Sequence, residues 1–223
     1  MYVEDGDAKW PLGQRWWVGA ETRCLGAATR VKQILFVKAK VYSVALYVEG
    51  KPAARELGLR SRGGFLAEDA DFASALADGA FVKVLAMRLL RDVTGEQFAE
   101  AISAQLAPRA RLTGAGAALE QYVSFISKQS LSAGTRIAHL WTADGEQLQV
   151  RVEKGDGDVD WESKAPDLTV ASASLARGMF EIYLGGSPIV PEARTEWAKG
   201  ARLLLESDNV KRATDKEGGS AFW

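Results

Sequence analysis

The chain has 223 residues, 47% of them apolar and 26% charged, with a formal net charge of −1 at pH 7. That balance suits a soluble globular protein with a sizeable core, and it excludes a nucleic-acid binder, which needs a cationic surface to neutralise phosphates. One cysteine, Cys24, and one histidine, His139, leave no disulfide and no His-based zinc site, so neither metal nor cofactor is expected.

Residues 1–23 carry Trp10-Pro11 and Trp16-Trp17 among polar residues. They predict a short lead-in strand whose tryptophans cap one end of a sheet. Met1 to Asp7 is acidic and lacks the apolar stretch of a secretory signal and the Arg/Ser-rich character of a transit peptide. Residues 24–49 are the stretch around which the chain is organised. Neither Pro nor Gly interrupts it after Ala27, and it is rich in β-branched and aromatic residues, which predicts two consecutive strands rather than a helix. Its odd positions (Val37, Ala39, Val41, Ser43, Ala45, Tyr47) form a small, mostly apolar face. The other face begins basic with Arg30, Lys38 and Lys40, carries Tyr42, and turns apolar from Val44 onward.

Gly50-Lys51-Pro52 opens a short helix over about 52–58, and a second helix near 70–78 shows Phe72, Ala75 and Leu76 on one face. Phe81–Val93 reads as a strand ending at Asp92. Thr94-Gly95-Glu96-Gln97 has capping-box spacing and starts a helix over 95–106, with Phe98, Ala101, Ile102 and Leu106 on its apolar side. Pro108 should end it. Leu119, Tyr122, Val123 and Ile126 predict another amphipathic helix. Segments 136–143 and 146–153 flank Asp144-Gly145, a two-residue hairpin signal. A strand at 167–170 and helices at 173–184 and 191–205 complete a single domain over 1–206. A polar tail, 207–223, follows, in which Phe222-Trp223 stands out. The element order predicts an α+β fold with helices gathered against one sheet. No stretch is long and apolar enough for a membrane span.

Three segments carry a family resemblance. Leu25-Gly26-Ala27-Ala28-Thr29-Arg30, then Val37 to Val48, resembles the opening of chalcone-isomerase-fold proteins, an L-G-x-G-x-R segment followed by a strand ending in G/A-[VL]-Y-[VLA]. Arg91 to Phe98 resembles the strand-to-helix junction in the middle of that domain. Leu175 to Gly185, followed by Ser187-Pro188-Ile189-Val190-Pro191, resembles its late helix, its Y-L-G and the V-S-P that starts its last helix. The matches come in the family order and span residues 24 to 206. They imply an open-faced sandwich, a large antiparallel sheet packed against a layer of helices, with a ligand cleft between the layers.

The resemblance places Arg30 in that cleft. In the fatty-acid-binding branch the arginine pairs with a strand tyrosine, matched here by Tyr42, to hold a carboxylate. The chemistry fits, since a guanidinium fork offers parallel N–H groups and a phenol adds a third donor. The isomerase branch also uses a strand threonine, a helix tyrosine, a helix asparagine and a Ser/Thr on the late helix. At those positions this chain has Tyr42, Phe98, Gln105 and Ile182. Tyrosine fills space that a second substrate ring needs, and phenylalanine has no hydroxyl to hold the polarising water.

The expectation is therefore non-catalytic binding of a fatty acid or similar amphiphilic acid, with Phe98, Ile102, Met179 and Ile182 lining an apolar tunnel. The alternative is an intramolecular lyase that closes a chalcone to a flavanone. A third reading is an interaction module without a pocket. Lys38, Lys40 and Arg88 either supplement the positive end of the cleft or form a solvated face. Cys24 is expected to be buried and inert, and His139 is given no catalytic role. A monomer is expected. The resemblance implies plastid location (chloroplast stroma) if a transit peptide has been removed, and the cytoplasm otherwise.

Overall fold

The computed structural model describes residues 1–34, 36–155, 157 and 159–218, with side chains through 208 except that of Ile34. Three short strands, β1 (Tyr2–Asp5), β2 (Ala8–Pro11) and β3 (Gly13–Arg15), precede the long pair β4 (Glu21–Ile34) and β5 (Val37–Glu49). Helices α1 (Gly50–Arg62) and α2 (Asp69–Asp78) lead to β6 (Lys83–Leu89), and the short β7 (Val93–Thr94) opens α3 (Gly95–Thr113) and α4 (Gly116–Ile126). Then come β8 (Ser130–Leu131), the hairpin β9 (Arg136–Trp141) and β10 (Gln147–Glu153), β11 (Leu168–Ala171), α5 (Ala173–Leu184) and α6 (Pro191–Gly218). Seven strands form one antiparallel sheet in the order β11-β10-β9-β6-β5-β4-β3. The α+β architecture is the expected one.

Both faces of this sheet are covered. The even residues of β5 from Tyr42 to Val48, with Leu85, Met87 and Ile137, pack under the helices in the main core. The odd residues Ala45 and Tyr47, with Cys24, Val84, Ala86 and Leu140, pack under a second layer made by Trp10, Trp16 and Trp161. The tryptophans thus lie across the outer face of the sheet rather than capping an end, and the lead-in is three strands rather than one. The reason is that the small outer-face residues leave room for indoles, and three indole N–H groups on this side find partners. Trp10 donates to Ser43 Oγ at 3.0 Å, Trp16 to Thr22 Oγ1 at 2.7 Å and Trp17 to Gln149 Oε1 at 2.6 Å. Arg151, buried on the same face, donates to the carbonyls of Asp160, Trp161 and Lys164 and so pins the loop that delivers Trp161. Cys24 is buried in this layer, where desolvation raises its thiol pKa to about 11.

Several boundaries differ from the sequence reading. Pro108 lies inside α3 and does not end it. Its ring removes one helical hydrogen bond, but Leu106 and Ala110 on either side are buried, and that packing carries the helix on to Gly114 at φ 69. The strand expected over 81–93 stops at Leu89, and β7 is a separate pair with β8. Asp144-Gly145 sits in a wider loop than two residues. Thr142 N–H bonds to the Gln147 carbonyl, and Asp144 Oδ1 accepts from Thr142 Oγ1 at 2.6 Å and from Glu146 N at 3.0 Å. Helix α6 continues through residues 207–218, so most of the expected tail is helical; Phe222-Trp223 lies outside the described residues. The capping box at Thr94 is present as predicted, with both bonds at 3.1 Å.

Two bulges in the β4–β5 pair position the site. The first puts Leu25 opposite no partner and leaves Gly26 at φ 150. There α6 crosses β4 at close range: Trp197 Nε1 donates to the Gly26 carbonyl at 3.0 Å, and Gly200 lies against the Leu25 backbone. The second bulge inserts Val41 into β5, so that Arg30 pairs with Tyr42 but Val31 pairs with Lys40. An extra residue re-aims every side chain beyond it.

Candidate ligand-binding site

Arg30 and Tyr42 are register partners on adjacent strands, and both face the helix layer. Arg30 Nη1 lies 3.4 Å from the Tyr42 hydroxyl, with the guanidinium carbon 5.9 Å from the centre of the phenol ring. Tyr42 Oη in turn lies 2.7 Å from Tyr183 Oη on α5. Beneath them, Tyr183 Oη is 4.0 Å from Met87 Sδ, a weak acceptor. Burial raises the pKa of both phenols, most strongly for Tyr183, so each stays protonated at neutral pH.

Arg30 donates to Tyr42. When Tyr183 also donates to Tyr42, the Tyr42 oxygen has accepted twice and its own proton is released toward the cleft. An anion there selects this arrangement over the reverse one, in which Tyr42 donates down to Tyr183. No carboxylate of a described residue pairs with Arg30, which is half-buried. A half-buried guanidinium with no carboxylate partner, beside a phenol able to donate its proton, has the chemistry to accept one carboxylate.

The cleft beside them has a volume of about 620 Å³ and lies between the β4–β5 pair and α3. Its apolar lining includes Val41, Phe98, Ala101 and Ile102, with the Phe98 ring centred 6.3 Å from that of Tyr42. The size falls within the usual range for a small-ligand pocket, about 300–1,000 Å³. Gln105 also lines it. Of the expected residues, Arg30, Tyr42, Phe98 and Gln105 come together here. Met179 and Ile182 do not line this cleft; both are buried within the core on α5.

The basic residues are redistributed. The Val41 bulge turns Lys38 and Lys40 to the outer face, where Lys40 Nζ reaches the Gly6 turn. Arg88 also faces outward, beside Ser43, and donates to the Asp7 carbonyl. Lys32 and Arg91 line the cleft in their place, together with Asp92 and Glu100. The sequence held a signal for Lys32, which lies two residues from Arg30 on the same strand face. It held one for Tyr183 too, in the Tyr183-Leu184-Gly185 segment. Among the described residues, no group of three or more His, Cys, Asp or Glu converges as a metal site.

Fold and cleft together define the class: the chain has the chalcone-isomerase-like fold, an open-faced sandwich with its large antiparallel sheet packed against helices. The solved structure of an Arabidopsis thaliana fatty-acid binding protein matches with a TM-score of 0.71, covering 89% of this chain and 95% of that one at 16% identity. In sequence the chain is similar to chalcone–flavanone isomerase 1 of Fragaria ananassa, 25% identical over 200 residues, which cover 86% of this chain and 82% of that protein. No protein-family model matches the sequence.

Proposed function

We propose that this chain binds a fatty acid or a similar amphiphilic acid without transforming it. The observation that carries the reading is the Arg30–Tyr42–Tyr183 group beside a cleft whose wall includes Val41, Phe98, Ala101 and Ile102, with Arg30 free of any carboxylate partner among the described residues. The head group takes the Arg30 fork and the Tyr42 proton, and the alkyl chain runs over Phe98, Ala101 and Ile102. The likeness to a fatty-acid binding protein supports this reading at the level of the fold.

Calorimetric titration with a long-chain fatty acid tests it. Losing one charge-assisted, partly buried pair costs about 1.5–3 kcal/mol, so Arg30→Ala should weaken binding roughly ten- to hundredfold. Arg30→Lys should recover only part of that, because a point charge cannot make two parallel bonds. Equal affinities for wild type and Arg30→Ala would remove the head-group assignment.

The similarity to a chalcone–flavanone isomerase gives a second reading its own support. Geometry weighs against it. Phe98 presents no hydroxyl to the cleft, the Tyr42 ring takes up space in its wall, and Ile182 is buried away from the lining. Stopped-flow absorbance with a chalcone should therefore show cyclisation near the spontaneous rate. Fast turnover that Arg30→Ala abolishes would establish the enzyme instead.

A further inference from the structure

The β4–β5 pair extends beyond the sheet. On one side β6 joins β5 only from Tyr42 onward, and on the other β3 pairs with β4 only at Glu21–Arg23. Past the Arg30–Tyr42 pair the two strands project as a ribbon with no flanking strand among the described residues. An isolated ribbon of this kind has little packing to hold apolar side chains. Nevertheless Phe36, at its tip, is 98% exposed, and Val37 and Val31 are 67% and 49% exposed. Single exposed apolar residues are ordinary. Three at one projecting end are not explained by the core or by the cleft.

The charges around them are one-sided. From Arg30 to Tyr42 the sequence holds Arg30, Lys32, Lys38 and Lys40 and no acidic residue, in a chain whose net charge is −1. Register puts them on both sides of the ribbon. Lys32 pairs with Ala39 and faces the cleft, while Lys38 and Lys40, opposite Gln33 and Val31, face outward. All three lysines are exposed. An apolar apex above a cationic collar on both faces matches the layering of an anionic bilayer, where acyl chains lie beneath a sheet of phosphates. Lysines alone on a free ribbon would also serve to deter strand pairing, but that role gives no reason for a fully exposed phenylalanine between them.

We propose that this hairpin tip docks the protein on the surface of an anionic phospholipid bilayer, Phe36 and Val37 entering the headgroup region and Lys32, Lys38 and Lys40 meeting lipid phosphates. No described helix is long and apolar enough to cross a membrane, so the contact is peripheral. The tip adjoins the cleft mouth through Lys32 and Arg30, which line it. A docked molecule therefore presents its cleft at the lipid surface, in place to take up or release an amphiphilic acid; that last step rests on the proposed function, whereas the docking rests on the hairpin.

Co-sedimentation of the full chain with phosphatidylcholine vesicles, and with the same vesicles carrying phosphatidylglycerol, tests the docking. Binding should favour the anionic vesicles and fall as salt is raised. Neutralising two lysines in Lys38→Gln/Lys40→Gln should weaken it about thirtyfold, from roughly fivefold for each charge near the surface. Phe36→Ser should weaken it about tenfold. All three positions are exposed and outside the cleft lining, and unchanged melting curves would show that the variants fold. If the full chain stays in the supernatant with anionic vesicles, or if neither variant alters its partition, the docking is wrong. Vesicle binding without fatty-acid affinity would keep the docking and remove the proposed ligand. Fatty-acid affinity without vesicle binding would do the reverse.

Discussion

Replacing Gly200 by alanine should destabilise the protein by about 3 kcal/mol or more, at or beyond the top of the usual range for an overpacked core. In an exposed helix the same change would help by about 1 kcal/mol, because alanine is the better helix former. Here α6 crosses β4 at the Leu25 bulge, and a Cβ on Gly200 would run into the Leu25 carbonyl, carbonyl carbon and Cα, well inside van der Waals contact. These are backbone atoms, so no side chain can swing away. Relief requires α6 to lift, which would also break the bond from Trp197 to the Gly26 carbonyl and uncover Trp197, Ala198 and Ala201, all fully buried. Gly58 in α1 provides the control. Its Cβ would meet only side-chain atoms at 3.7 and 3.8 Å, so Gly58→Ala should be neutral or stabilising by up to about 1 kcal/mol. Urea midpoints measure both. A Gly200→Ala variant as stable as wild type would mean that the helix–strand crossing is looser than described.

Acidification should cost a similar amount. His139 on β9 is fully buried, with Nε2 2.9 Å from the Tyr122 hydroxyl and Nδ1 without a hydrogen-bond partner among the described residues. Burial lowers its pKa to about 3, the Leu85 backbone opposing this only in part. The unfolded chain binds the proton near pH 6.5 and the folded chain does not. Stability is therefore fully present above about pH 6.5 and declines as pH falls toward 3. At about 1.4 kcal/mol per unit, the loss reaches up to about 4–5 kcal/mol. Lys83 titrates in another window. Its ammonium, buried and held by the Ala77 and Gly79 carbonyls, has its pKa lowered by burial to about 7, so it acts above that pH. Because His139 is the chain's one histidine, its NMR signals are unambiguous. They should hold the neutral position from pH 8 to 5 in the folded protein. An ordinary titration near 6.5 would show that water reaches the ring.

Much of this arrangement was legible in the residues. The Thr94 capping box and the face alternation of β5 from Tyr42 onward depend on near neighbours, and those patterns survive folding. Arg30 and Tyr42 were legible because one strand pair brings them together. Lys38 and Lys40 were not, because a bulge is a choice of register that the alternating pattern does not announce. Met179 and Ile182 show the limit of helix periodicity, which says that a residue is buried but not whether it meets core or cavity. The reach of α3 past Pro108 was hidden for a related reason, since packing of distant elements outweighed a local breaker. The tryptophan layer was visible as composition but not as a place, because nothing local tells a residue which side of a sheet it will cover.

That layer gives the chain's one thiol an unusual meaning. Cys24 lies in the outer layer with Trp16, while the cleft and the described helices lie on the other side of the sheet. A thiol reagent can reach it only where the outer layer has parted from the sheet, whether or not the helices have moved. The cysteine is thus a clock for local opening of one half of the molecule, and it keeps time independently of whatever occupies the cleft.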